Sequence, residues 1–314
     1  MIRRLLLLHV IVLAAAPIAY FAQPSQQKQP VRTVTIPISI FTKKELKENQ
    51  AEEFVQTDRL IVTEDKDEQE ILSIRSVSNS PLSIALVIQD DLASTFNLQL
   101  ADIRQFIRTL PAGTRVMIAY SRSGSILIRE RFTDDLEKAA KSLRITAGSP
   151  ALAPRSPYDG VEDILSRFDA VPTGRRAILL FSDGLDSSQG LNLASISQSF
   201  DLEQALLKAQ RKSVAIYSFY SPTTLTDNGN STLILAGQGA LNKLSDESGG
   251  RAFFQGSIAP ISFIPFFREL VLALNRQFAL TYLSTHMKKG YHKVTVRSTN
   301  PEIKIEHPKG YYYR

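Results

Sequence analysis

Two places in the sequence put acids and hydroxyls where they could do chemistry. In "LVIQDDLAST" an apolar run, Ile84 to Ile88, is followed by Asp90, Asp91 and Ser94. In "LLFSDGLDSS" a second apolar run ends at Asp183, with Gly184 at the turn and Asp186 just beyond. Carboxylates and hydroxyls from adjacent loops suit a hard cation such as Mg2+, which also keeps several waters. The same residues have a plainer use, since Asp after a strand often caps the next helix and Ser-Asp-Gly is a common turn. If the acids converge, each raises the pKa of the other, so a neutralising partner is needed.

Other chemistries are poorly served. The chain has no Cys, which removes disulfides and thiolate sites. There is no Gly-x-Ser-x-Gly nucleophile elbow. The four histidines, His9, His286, His292 and His307, show no zinc-binding pair, and His292 in "GYHKV" reads as a structural residue on a β surface. "AGQGAL" lies in a helical pattern and lacks the Lys of a phosphate loop. An aspartate-based phosphatase needs Asp-x-Asp, but Leu92 stands two residues after Asp90. A receiver-type phosphoacceptor needs a cytoplasmic chain, which the N-terminus opposes. The reading is therefore of a protein that is not an enzyme, with an acid-pair phosphate-handling enzyme as the weaker rival. The formal charge of +6 is spread along the chain without basic runs and interleaved aromatics, so no nucleic-acid partner is expected.

The acids need a scaffold at strand ends. "LSIALVI" and "RRAILLFS" are near-continuous apolar runs, the pattern of strands covered on both faces. Between and after them, helical spacings alternate with strands such as "SVAIYSFYS". Thr133 reads as the cap of "TDDLEKAAKSL", Ser156 and Pro157 open another helix, and the last helix, "ISFIPFFRELVLALNRQ", carries an internal proline. The fold class is α/β: a mostly parallel, doubly wound sheet. Ligands of such sheets sit at the carboxyl ends of the strands. Alternating strands before and after it ("VTIPISI", a hairpin with arms Leu60 to Val62 and Ile71 to Ile74, "FALTYL", "HKVTVRS", "EIKIEH") are expected to join into a small β-sandwich-like domain.

The expected organisation is a signal peptide or anchor at 1–22, a polar linker at 23–30, an N-terminal β segment at 31–80, the α/β domain at 81–276 and a C-terminal β segment at 277–314. Arg3 and Arg4 followed by an apolar stretch from Leu5 to about Ala22 have the layout of an export signal. The chain is expected to be exported, periplasmic or secreted. Membrane contact is expected only through this segment, if it is uncleaved.

The order of an apolar strand ending in acids and Ser, a Ser-bearing loop before a helix, and "LLFSDG" resembles the von Willebrand factor type A domain, and "QDDL" in place of the usual strand end resembles its bacterial, acidobacterial-type members. The acidic hairpin "VTEDKDEQEI", "LNKLSDESGGRAFF", "LNRQFALTYLS", "GYHKVTVRS" and the final "GYYYR" resemble the bacterial, acidobacterial-type members of that family. The resemblance covers residues 31 to 314. It implies a metal-ion-dependent adhesion site with Asp-x-Ser-x-Ser in a first loop, Thr in a second and Asp in a third. By position, Asp90 matches the first Asp, Ser94 the last Ser, Ser156 the Thr and Asp183 the last Asp, with Asp91 as a substitute donor. Leu92 stands where the middle Ser should be; a frame shifted by one, Gln89, Asp91 and Ala93, is poorer still. The resemblance implies a non-catalytic adhesion module whose Mg2+ or Mn2+ is completed by an acidic side chain of an envelope or extracellular protein. A metal-free structural envelope protein is the alternative.

Overall fold

Strand β4 (Leu82–Gln89) is buried along its whole length, because both of its faces are covered. It lies at the centre of a six-stranded sheet with β5 (Arg115–Arg122), β6 (Ser125–Thr133), β7 (Arg175–Ser182), β8 (Ala215–Tyr220) and β9 (Ala252–Phe253). The order is β6-β5-β4-β7-β8-β9. Every pairing is parallel except β5 with β6. The computed structural model describes residues 30–44, 60–123, 125–172, 174–188, 199–227, 229–256, 258 and 260–313. The expected export segment lies outside them. Among the described residues no helix is long and apolar enough to cross a membrane.

Side chains alternate across β4, and each face has its own helices. Ile84, Leu86 and Ile88 pack with α1 (Leu100–Thr109), α2 (Leu136–Ser142) and α6 (Ile264–Asn275). Ala85 and Val87 pack with α3 (Pro157–Arg167), α4 (Phe200–Lys212) and α5 (Ser231–Ser248). This is the doubly wound arrangement expected. Two local expectations change. Asp135, not Thr133, caps α2 by accepting from Lys138 N; Thr133 ends β6 instead. The proline expected inside the last helix lies in its first turn, where a missing N–H costs nothing.

The remaining strands form one seven-stranded sheet, ordered β12-β1-β10-β3-β2-β11-β13 and antiparallel throughout. Its members are β1 (Arg32–Thr42), β2 (Leu60–Glu64), β3 (Asp67–Ser76), β10 (Gln277–Ser284), β11 (Gly290–Ser298), β12 (Ile303–Glu306) and β13 (Gly310–Tyr313). N-terminal and C-terminal strands interleave, as β1 sits between β10 and β12. Val34, Ile36, Ile38 and Ile40 share one buried face with Leu280, Tyr282, Val294 and Val296. Strand β13, from the terminal "GYYY", was not expected as a strand.

Candidate functional site at the carboxyl edge of the parallel sheet

The loops after β4, β7 and β8 open onto a cleft of about 390 Å³. Gln89, Asp91, Asp183 and Thr223 line it, with Pro154, Leu185 and Ser187 among the walls. β4 is where the chain direction of the winding reverses, the switch point at which such sheets bind ligands.

The alternation that governs β4 also governs its loop. Leu92 follows the even-numbered face: it is fully buried in the same core cluster as Ile84, Leu86 and Ile88. It also bridges to Thr223. Asp90 is directed away from the cleft. Its Oδ2 is 2.6 Å from the Arg144 guanidinium and 3.6 Å from Arg122 Nε. Arg144 is held in turn, stacked over the Tyr120 ring at 4.1 Å and donating its backbone N–H to Tyr120 Oη. Gln89 and Asp91, on the odd-numbered side, face the cleft.

Gln89 and Asp91, from the frame that looked poorer in donors, are the residues of this loop that line the cleft. Asp90, given the first position in the expected alignment, lies in an ion pair with Arg144 and Arg122. Ser94 is exposed at the start of a short 3-10 turn and does not line the cleft. Ser156 caps α3, its Oγ accepting from Tyr158 N, and lines a neighbouring depression. Of the five residues expected to form the site, Asp91 and Asp183 are brought together. Leu92 is a core side chain.

Asp183 is buried and fully engaged. Its Oδ1 accepts from Gln89 Nε2 at 3.3 Å and Leu185 N at 3.1 Å, and its Oδ2 accepts from Thr223 Oγ1 at 2.8 Å. Gln89 is fixed by the same group: its Oε1 accepts from Ser182 Oγ at 2.5 Å and Asp183 N at 3.3 Å. Burial pushes the Asp183 carboxyl up, against the hydrogen bonds that lower it. Asp91 is different. Its Oδ1 is buried and has no hydrogen-bond partner. Desolvation, with the Asp183 charge close by, pushes its pKa up to about 7. Asp186 caps its own loop through Ser188 N at 2.8 Å, and its Oδ2 has no partner.

The turn that carries Asp183 is pressed onto α5. Gly184 has φ of 75°, and a Cβ there would meet Gly237 O at 2.4 Å. A Cβ on Gly237 would meet Asp183 O at 2.0 Å. The second glycine is the first one of "AGQGAL"; it permits close approach rather than phosphate binding.

Gln89 and Thr223 were missed in the sequence. Gln89 looks like a strand residue, although strand parity from Val87 assigns it to the cleft side. Thr223 follows β8, and only the assembled sheet places it beside Asp183.

The 3-2-1-4-5-6 winding, the reversed edge strand β6 and acidic loops meeting at the switch point agree with the resemblance. The α/β unit has a von Willebrand factor type A- or Rossmann-like fold. No family model and no curated protein matches the chain. Solved structures align with it at low identity. A von Willebrand factor type A protein from Catenulispora acidiphila aligns at 9% identity over 93% of this chain and 75% of its own, with a TM-score of 0.43. An aerotolerance-related membrane protein from Bacteroides fragilis aligns at 9% identity over 62% of this chain and 98% of its own, TM-score 0.43. Proximal thread matrix protein 1 of the mussel byssus, solved with a zinc-occupied MIDAS motif, aligns at 12% identity over 69% and 50%, TM-score 0.38.

Proposed function

We propose that the chain is an exported, non-catalytic protein-interaction module that holds a divalent cation, Mg2+ or Mn2+, in the cleft. The observation that carries this is the buried, unpartnered Oδ1 of Asp91 beside Asp183. A buried carboxylate oxygen without a donor costs free energy unless it is protonated or meets a cation. Asp91 and Asp183, with the Thr223 hydroxyl beside them, are hard oxygen donors, which suits Mg2+ or Mn2+ and not a soft metal. Two carboxylates balance the charge of one such ion. In this reading a partner's acidic side chain completes the coordination, and the surrounding loops select the partner.

A metal-free reading has one observation in its favour. Both Asp183 oxygens already accept hydrogen bonds from the protein, so a protonated Asp91 would leave the cleft neutralised to a single charge. A capture experiment separates the two. The wild-type chain and Asp91→Asn are immobilised and exposed to an envelope fraction with Mg2+ or with EDTA. Retention of a partner by the wild type in Mg2+ alone supports the cation-dependent module. Equal retention in EDTA removes the cation from the function.

A further inference from the structure

The antiparallel sheet assembles a second, chemically different cluster. Asp65 and Lys66 form the two-residue β2–β3 turn, both with positive φ (47° and 84°), a hairpin geometry that Asp tolerates. Asp65 Oδ1 accepts from Lys293 N at 2.8 Å, and its Oδ2 lies 2.7 Å from His292 Nδ1. His286, in the β10–β11 connection, stands with its ring centroid 5.9 Å from that of His292. One ligand atom from each of Asp65, His286 and His292 lies within 4.8 Å of the others. No zinc-binding histidine pair was expected from the sequence; the fold makes this one with an acid more than 200 positions away.

The hydrogen bonds decide which nitrogen of His292 is free. Its Nε2 is 2.6 Å from the Lys288 carbonyl, which can only accept, so Nε2 carries a proton. Nδ1 then faces Asp65 Oδ2 and, at 3.3 Å, Glu64 Oε1. Two carboxylates around one nitrogen call for either a second proton or a metal ion there. Two further atoms are unmatched. His286 Nε2 is buried and forms no hydrogen bond, although Asp67 Oδ2 is 3.3 Å away. Glu64 Oε2 is buried without a partner, while its Oε1 accepts from Ser284 Oγ at 2.9 Å, Tyr311 Oη at 2.6 Å and the Arg32 guanidinium at 3.4 Å. His307 is not available, since its nitrogens are engaged by Val296 N and Pro308 O.

We propose that Asp65 Oδ2, His286 Nε2 and His292 Nδ1 bind a divalent transition-metal ion of the zinc class. Two imidazoles and a carboxylate favour such an ion over Mg2+ or Ca2+. Zinc–ligand distances of about 2.0–2.1 Å in a tetrahedron put ligand atoms about 3.3 Å apart. The Asp65–His292 pair opens slightly, and His286, on a connection rather than in a strand, moves inward. The His292 Nε2–H to carbonyl bond is the kind of outer hydrogen bond that orients metal-binding histidines. Three protein ligands leave a fourth position for water or a partner's side chain. The ion ties the β2–β3 turn to the β10–β11 connection and stabilises the folded chain by mass action.

The test is calorimetric titration of the untagged full chain with Zn2+ at pH 7.5, paired with thermal denaturation. One equivalent is expected to bind with an affinity on the order of micromolar and to raise the Tm. His286→Ala removes a part-exposed side chain and is expected to fold, with affinity reduced about 10-fold or more. Asp65→Asn is expected to weaken binding too. Absence of binding and of a Tm shift at 100-fold excess Zn2+ would overturn the proposal. So would zinc binding that is unchanged in His286→Ala.

Discussion

Asp90 and Asp91, adjacent in sequence, point to different sides of the sheet's carboxyl edge. Asp90 forms an ion pair with Arg144 at 2.6 Å, while Asp91 faces the cleft with an oxygen that nothing satisfies. One peptide unit thus separates an acid paired with two arginines from an acid that lines the cleft, and each keeps one buried oxygen without a hydrogen-bond partner. The account of the cleft rests on this division.

Asp90→Ala should be a stability mutation. It removes a carboxylate whose side chain is 1% exposed and leaves Arg144, itself only 27% exposed, without its partner. Breaking a buried pair by deleting one member costs about 3 kcal/mol. Urea denaturation checks the loss, and cation affinity of the folded fraction should stay within about 2-fold.

Leu92→Ser restores the residue that the adhesion-site pattern lacks, yet it should not create a ligand. Leu92 is wholly buried in the core cluster of β4, α1 and α6. Losing a buried Leu costs about 2–5 kcal/mol, and the buried hydroxyl adds to that. A lowered Tm with no gain in Mg2+ affinity is the expected outcome, read by thermal denaturation with and without the ion.

Gln89→Glu places a third carboxylate in the cleft. Gln89 Nε2 now donates to Asp183 Oδ1 at 3.3 Å, and a carboxylate oxygen there would repel it. The ion-free variant should melt below the wild type. Mg2+ should recover the difference and bind about 10-fold more tightly, as shown by calorimetry.

The pH dependence has a definite sign. Folding raises the Asp91 pKa from 3.8 to about 7, so the folded chain holds this proton more tightly than the unfolded chain. That favours the folded state below about pH 4, and the benefit is lost as the pH rises through 7. Asp91→Asn has no such dependence. Relative to wild type it should gain on the order of 2–4 kcal/mol between pH 4 and pH 8 in the absence of divalent ions. Chemical denaturation at the two pH values measures the change.

Glycine geometry gives a further test. Gly237→Ala would bring a Cβ within 2.0 Å of Asp183 O and displace the turn that carries the acid. It should weaken cation binding at least 10-fold although α5 itself gains helix propensity.

Much of this fold could be read from the chain. The continuous apolar runs at Leu82–Gln89 and Arg175–Ser182 marked buried parallel strands, because each is covered by helices on both faces. Asp183 was legible because it ends such a strand. Asp91 was visible, but its role was not, since choosing between it and Asp90 requires knowing which face each loop residue inherits. The family pattern drew the alignment to Asp90 through Ser94, although Leu92 belongs to the core face. Thr223 carries no local signal and Gln89 only its strand parity; their meaning comes from Asp183 reaching both across two sheet neighbours. The Asp65, His286 and His292 cluster depends on pairings of β2 with β3 and β11 that no local pattern reveals.

The most direct measurement compares Mn2+ and Mg2+ binding, by electron paramagnetic resonance and thermal shift at pH 7.5, in wild type, Asp90→Asn and Asp91→Asn. Wild type and Asp90→Asn should bind one ion and gain Tm at millimolar Mg2+, whereas Asp91→Asn should do neither. Loss of binding in Asp90→Asn with retention in Asp91→Asn, or no binding by the wild type, would contradict the assignment of the cleft.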